Sequence, residues 1–234
     1  MPNPSFAQVT PHIFKLELPF FIPVGVWLIK QDSGWTVIDA GAPEFEDVVI
    51  KEILKLTGGE KPHTLILTHG HYDHGGAALR MLNAWQVRVA AGRAEEPFLT
   101  GASRYRLIPA DHLLYPLIQI SPPALFGRSV HLPLDEGMTL NGLEVYAAPG
   151  HSPGQVALLH RRDGALICGD AFTNLKNKLG DPLAPFTYDM DLAHQSQARL
   201  AELDFEHLLV SHGPIIPGEG LKRAKALVAS RKKK

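Results

Sequence analysis

The chain reads as an α+β fold: two β-sheets packed face to face, with helices on the outer faces. Three observations predict it. Short apolar runs with strand character crowd both halves of the sequence. Helical patterns are interposed late, after runs of strands, rather than alternating with them one by one. The 234 residues, 45% hydrophobic and 20% charged, are enough to bury a core and match a globular chain. No repeat, low-complexity tract or linker divides the sequence, so residues 1–234 are expected to form one domain.

The first half opens with three strands. His12–Leu18 and Val24–Ile29 are apolar runs separated by Pro19 and Pro23, and Asp32-Ser33-Gly34 turns the chain into Trp35–Ile38. Pro43 then opens a helix, Glu44, Glu46 and Asp47 suit its first turn, and Gly58-Gly59 closes it. Its apolar stripe includes Val49, Ile53 and Leu56. A strand at Thr64–Leu67 follows, then a helix from about Gly76 to Asn83 and a strand at Val87–Ala90. Residues 93–128 are rich in leucine, proline and aromatics without a clean period. They are read as one or two helices and an irregular loop, an insertion that lines the substrate. Beyond it come short strands at Val130–Leu132, Met138–Leu140, Leu143–Ala148, Val156–His160 and Ala165–Cys168, with turns at Asn141-Gly142 and Asp163-Gly164. A helix over Asp191–Leu203, a strand at His207–Val210 and a helix from about Gly218 complete the pattern. Residues 229–234 read as a disordered basic tail.

The segment that decides function is His69-Gly70-His71-Tyr72-Asp73-His74, directly after the Thr64–Leu67 run. Imidazole and carboxylate are the ligands that zinc, iron and manganese share in hydrolytic sites. In extended backbone, positions 69, 71 and 73 project to one side, and His74 points back as the chain turns into a helix. One loop can therefore offer two ligands to each of two neighbouring ions. The partners it needs follow three other strands: His151 in Pro149–Gly154, Asp170 in Gly169-Asp170, and His212 in Ser211–Pro214. His12, His63, His112, His131, His160, His194 and His207 are expected to be packing or surface residues. Cys168, the lone cysteine, is expected in the core; it excludes an internal disulfide and a multi-cysteine zinc site.

On these markers, together with Val37-Ile38-Asp39-Ala40-Gly41, the chain resembles the metallo-β-lactamase superfamily over nearly its whole length. The resemblance implies an αββα sandwich of two mixed sheets with metals bound along one edge. It implies that His69, His71 and His151 hold one metal, that Asp73, His74 and His212 hold the second, and that Asp170 bridges them. Asp39 resembles the aspartate that steadies the ligand loop; capping the helix near Pro43 is the alternative. Two divalent ions, zinc first, with iron or manganese as alternatives, would sit about 3.5–4 Å apart and lower the pKa of a shared water towards about 7. The implied chemistry is hydrolysis by a metal-bridging hydroxide, with Asp73 as the catalytic proton carrier.

Departures from the family's branches narrow the substrate to an ester, lactone or thioester of a small, partly apolar molecule. Flavodiiron reductases carry glutamate where His71 stands, and sulfur dioxygenases use a single iron. Glyoxalase II binds glutathione through a helical C-terminal region, whereas 22 residues follow His212 here. Quorum-quenching lactonases resemble one another in a tyrosine three residues after the bridging aspartate, a position held here by Thr173. Small metallo-hydrolases with a Gly-Asp-x-Phe segment, as in Gly169–Phe172, are the nearest likeness. Phe98, Tyr105, Leu114, Tyr115 and Phe126 could wall an acyl site, and Arg104, Arg106 and Arg128 could meet an anion. The alternatives are a tRNase Z-like nuclease, for which Lys222, Arg223, Lys225 and the tail would meet phosphates, a thiol-metabolite enzyme of the glyoxalase II or sulfur dioxygenase kind, and a metal-binding module without catalysis. The net charge of −1 argues for no global attraction to nucleic acid. The opening residues lack a leader pattern, and no apolar stretch could span a bilayer, so a cytoplasmic location is expected. The expected partner is a small-molecule substrate, with neither nucleic acid nor membrane; a homodimer is left open.

Overall fold

The computed structural model describes residues 4–105, 125 and 127–231. They fall into two compact units, one from Met1–Ser103 and Pro122–Leu134, the other from Arg104–Ser121 and Asp135–Lys234.

The first unit carries a sheet of β1 (Phe6–Gln8), β2 (Ile13–Leu18), β3 (Val24–Gln31), β4 (Gly34–Ile38), β5 (Thr64–Leu67), β6 (Arg88–Gly92) and β7 (Leu132–Leu134), neighbours in that order. The first four strands are antiparallel, with Leu18 opposite Val24 and Gln31 opposite Gly34 across the two hairpins. From β4 onward the pairing is parallel, as the helical crossovers require. The first crossover is α1 (Glu46–Thr57). A 3-10 turn at Pro43–Phe45 precedes it, and Gly58, left-handed, ends it by donating its N–H to Leu54 O. Val49 and Ile53, one turn apart, enter the core with Val37, Leu65 and Leu67. Each buried aliphatic side chain of this kind contributes about 1.5–3 kcal/mol. The second crossover, α2 (Ala78–Trp85), begins two residues later than its pattern suggests. Gly75 and Gly76 instead carry the exit from the ligand loop, where Gly76 N–H donates to Gly41 O at 2.6 Å. α3 (Glu96–Thr100) realises the helix expected after residue 93, and its Leu99 joins the core with Leu125 and Val130.

The second unit carries β8 (Thr139–Leu140), β9 (Leu143–Ala147), β10 (Val156–His160), β11 (Ala165–Ile167) and β14 (His207–Leu209), in the spatial order β14-β11-β10-β9-β8. β11 and β14 are parallel and the other pairs antiparallel. Leu159, Leu166, Leu208 and Val210 meet Leu200 of α4 (Met190–Leu200) and Ala224 of α5 (Gly220–Arg231) in its core.

Other expectations need correction. Val130–Leu132 is not the strand; β7 lies two residues on, with Val130 as core and His131 N–H donating to Val89 O. A hairpin of β12 (Thr173–Leu175) and β13 (Lys178–Gly180) was not foreseen, because its turn is Lys176-Asn177, both at positive φ (52° and 59°), without the usual Asn-Gly. The disordered tail placed at 229–234 is helical through Arg231, whose guanidinium pairs with Asp181 and Gln197. Of the residues assigned to a substrate wall or anion contact, Arg106, Leu114, Tyr115 and Phe126 lie outside the described residues, as does His112; Arg104 and Arg128 are exposed. No helix among the described residues is long and apolar enough to cross a membrane.

Candidate metal centre

The first half of the site is built at the carboxyl ends of β4 and β5. The two are parallel neighbours, with Ile38 beside Ile66, so the residues after them emerge at one edge of the sheet. Asp39 follows β4 and Thr68–His74 follows β5. Asp39 is fully buried and left-handed, φ 60°, a conformation that aspartate tolerates better than most residues and that is found at functional sites. It does not cap the helix at Pro43. Its Oδ1 accepts from Thr68 N–H at 2.8 Å, and its two oxygens share the Thr68 hydroxyl at 3.0 and 2.9 Å. Its Oδ2 accepts from His74 Nδ1–H at 2.9 Å.

A carboxylate can only accept, and this decides the histidine tautomers. His74 carries its proton on Nδ1, leaving the Nε2 lone pair outward. The Thr68 O–H is committed to Asp39, so Thr68 Oγ1 accepts from His69 Nδ1–H at 3.1 Å, and His69 likewise presents Nε2. That Nε2 lies 3.1 Å from His71 Nδ1, and His74 Nε2 lies 3.7 Å from Asp73 Oδ1. The loop backbone is held as well: Gly70 N–H donates to the buried Glu95 at 2.9 Å. Tyr72 donates to Glu44 at 2.7 Å, and partial burial together with that carboxylate pushes its phenol up to about 12. Its ring lies 6.2 Å from Phe20, next to the wholly exposed Phe21.

The second half follows the same topological rule. β9 and β11 both run antiparallel to β10, and β14 runs parallel to β11, so the loops after β9, β11 and β14 share an edge. They carry His151, Asp170 and His212. Asp170 Oδ2 lies 3.0 Å from His212 Nε2 and 3.5 Å from His151 Nε2, all three groups buried. Gln155 ties two of the loops together, its Oε1 accepting from Asp170 N–H and its Nε2 donating to Ala148 O. Gln197 donates to Ala171 O at 2.6 Å. Gly150, at φ 131°, lets the loop touch α4: a Cβ there would stand 2.1 Å from Ala193 N. Cys168 lies in the core of this unit, and burial pushes its thiol well above the ordinary range, so it is no thiolate ligand.

The donor set fits divalent metal. Lone pairs face lone pairs where His74 Nε2 meets Asp73, and a cation at such contacts turns repulsion into coordination. In the first unit the candidate ligands are His69, His71, Asp73 and His74, and in the second His151, Asp170 and His212. These are the seven residues that the resemblance implied. Thr68, Glu95 and Gln155 were not foreseen. Thr68 had a local signal, a hydroxyl beside the first ligand; the other two act across 25 and 15 residues, where no sequence pattern reaches. His160, His194 and His207 make local contacts with Asp163, Asp181 and Gly218, as packing or surface histidines do.

Residues 21–212 match the family described as the metallo-β-lactamase superfamily. YybB of Bacillus subtilis strain 168, named a probable metallo-hydrolase, is 29% identical, the match covering 89% of this chain and 91% of YybB. A hydroxyacylglutathione hydrolase of Ectopseudomonas mendocina is 27% identical over 80% of this chain and 60% of its own length. The crystal structure of TTHA1623 in a di-iron-bound form aligns with a TM-score of 0.65 at 27% identity, over 94% of this chain and 96% of that one. The α+β architecture with mixed sheets is the one the αββα family shares. The chain belongs to the metallo-β-lactamase superfamily, and is thereby a metallo-hydrolase.

Proposed function

We propose that the chain is a two-metal hydrolase of an ester, lactone or thioester of a small, partly apolar substrate. The observation that carries this reading is the donor set within each unit: imidazoles held with Nε2 presented in the first, and Asp170 facing two histidine Nε2 atoms in the second. His69, His71 and His151 would hold one ion, Asp73, His74 and His212 the other, and Asp170 would serve both. Zinc, or iron or manganese in its place, would supply a Lewis acid and a water acidified towards a pKa of about 7. The chain's own part is orientation and proton transfer. Asp39 and Thr68 hold the imidazoles in ligating tautomers. Asp73, its side chain 18% exposed, would take the proton of the attacking water on its carboxylate and return it to the leaving group. Phe20, Phe21 and Tyr72 give the ligand loop an apolar border suited to an acyl or ring substituent. Tyr72 stays a neutral phenol and does not act as a base.

The hydroxyacylglutathione hydrolase likeness favours thioesters within this class. Against RNA as substrate, Arg231 of the basic patch is engaged by Asp181 and Gln197. The test is metal analysis of protein purified without chelators, followed by a panel of lactone, thioester and phosphodiester substrates. Asp73→Ala should lose one metal equivalent and about 10²–10⁴-fold in turnover. Two metals and undiminished turnover in that variant would refute the assignment.

A further inference from the structure

We propose that Thr187 is a positioning residue that fixes the tautomer and ring orientation of His151. Thr187 Oγ1 has two partners, His151 Nδ1 at 3.2 Å and Leu183 O at 2.9 Å. The carbonyl can only accept, so the threonine O–H points to Leu183. Its oxygen then has only lone pairs left for the imidazole, and His151 must carry its proton on Nδ1. The consequence is an Nε2 lone pair aimed at Asp170 Oδ2, 3.5 Å away. This is the logic by which Asp39 and Thr68 set His69, repeated with a backbone carbonyl in place of the carboxylate.

The segment that carries Thr187 is built to hold still. Thr187 N–H closes a 3-10 turn onto Ala184 O, and Asp189 caps α4 by accepting from Leu192 N–H at 2.9 Å. Between them, Tyr188 N–H donates to His151 O at 3.1 Å and Asp189 N–H to Gly150 O at 2.8 Å. The same few residues thus grip His151 by both its backbone and its ring. Thr187 and His151 are 8% and 2% exposed, so water does not readily replace the hydroxyl.

Long-range proton–nitrogen correlation NMR of the metal-free protein at about pH 8, where an imidazole is neutral, reads the tautomer directly. His151 in the wild type should show a protonated Nδ1 and a bare Nε2. Thr187→Val, nearly isosteric, should move it towards the other tautomer, and Thr187→Ser should restore it. In so far as the proposal concerns metal, it rests on the two-metal reading: zinc affinity by chelator competition should fall about 10–100-fold in the valine variant and recover in the serine variant. The Tm of the metal-free valine variant should drop by no more than about 4 °C, showing an intact fold. An Nε2-protonated His151 in the wild type, or a tautomer unchanged by Thr187→Val, would overturn the proposal. A wild type that takes up no zinc would remove the two-metal reading and leave the tautomer to decide the role of Thr187.

Discussion

Replacing Asp39 with asparagine separates stability from metal binding. The carboxylate accepts from Thr68 N–H, Thr68 O–H and His74 Nδ1–H in a fully buried setting. Asparagine keeps one carbonyl oxygen, which can serve both Thr68 donors, and it tolerates the left-handed backbone as well as aspartate does. Its amide nitrogen then faces His74 Nδ1 at the place of the present 2.9 Å contact, donor against donor. The imidazole escapes by moving its proton to Nε2, which restores a hydrogen bond and abolishes the ligand lone pair. Exchanging a charge-assisted bond of about 1.5–3 kcal/mol for a neutral one of about 0.5–1.5 kcal/mol costs about 1–2 kcal/mol. For a chain of this size that is a drop of roughly 2–8 °C in the Tm of the metal-free protein. Metal affinity at the group containing His74 should fall by at least about 10–100-fold. Asp39→Ala should lose metal too, and strand two buried N–H donors at about 1–3 kcal/mol each. Calorimetry of metal-free protein and chelator competition measure the two quantities. An Asp39→Asn variant that binds two ions with wild-type affinity, or is less stable than Asp39→Ala, would refute the reasoning.

Other positions test the supporting structure. Gly150→Ala should cost on the order of 2 kcal/mol or more in urea unfolding, because its Cβ would enter the α4 backbone at Ala193 and its φ of 131° suits glycine alone; stability within about 0.5 kcal/mol of wild type would contradict that packing. Cys168, buried and with its thiol pushed up by burial, should react with a disulfide reagent on the order of 100-fold more slowly in native than in urea-unfolded protein. Equal rates would mean the core is open at that point.

The sequence by itself determined the elements whose signal is local. Thr64–Leu67 and Val156–His160 are strands at the boundaries their apolar runs predict, and Gly58 ends α1 where a left-handed residue was expected. It also pointed to the candidate ligands, since His69–His74, His151, Asp170 and His212 each follow a readable strand and imidazole and carboxylate have few other reasons to recur there. What it left open was decided by tertiary structure. The Lys176-Asn177 hairpin, the helical anchoring of Arg231 and the start of β7 depend on which neighbour the chain finds. So do the partners that orient the imidazoles: Asp39 meets His74 across 35 residues and Thr187 meets His151 across 36. A hydrogen bond is set by distance and angle between groups brought together by folding, and neither is written in the spacing of residues along the chain.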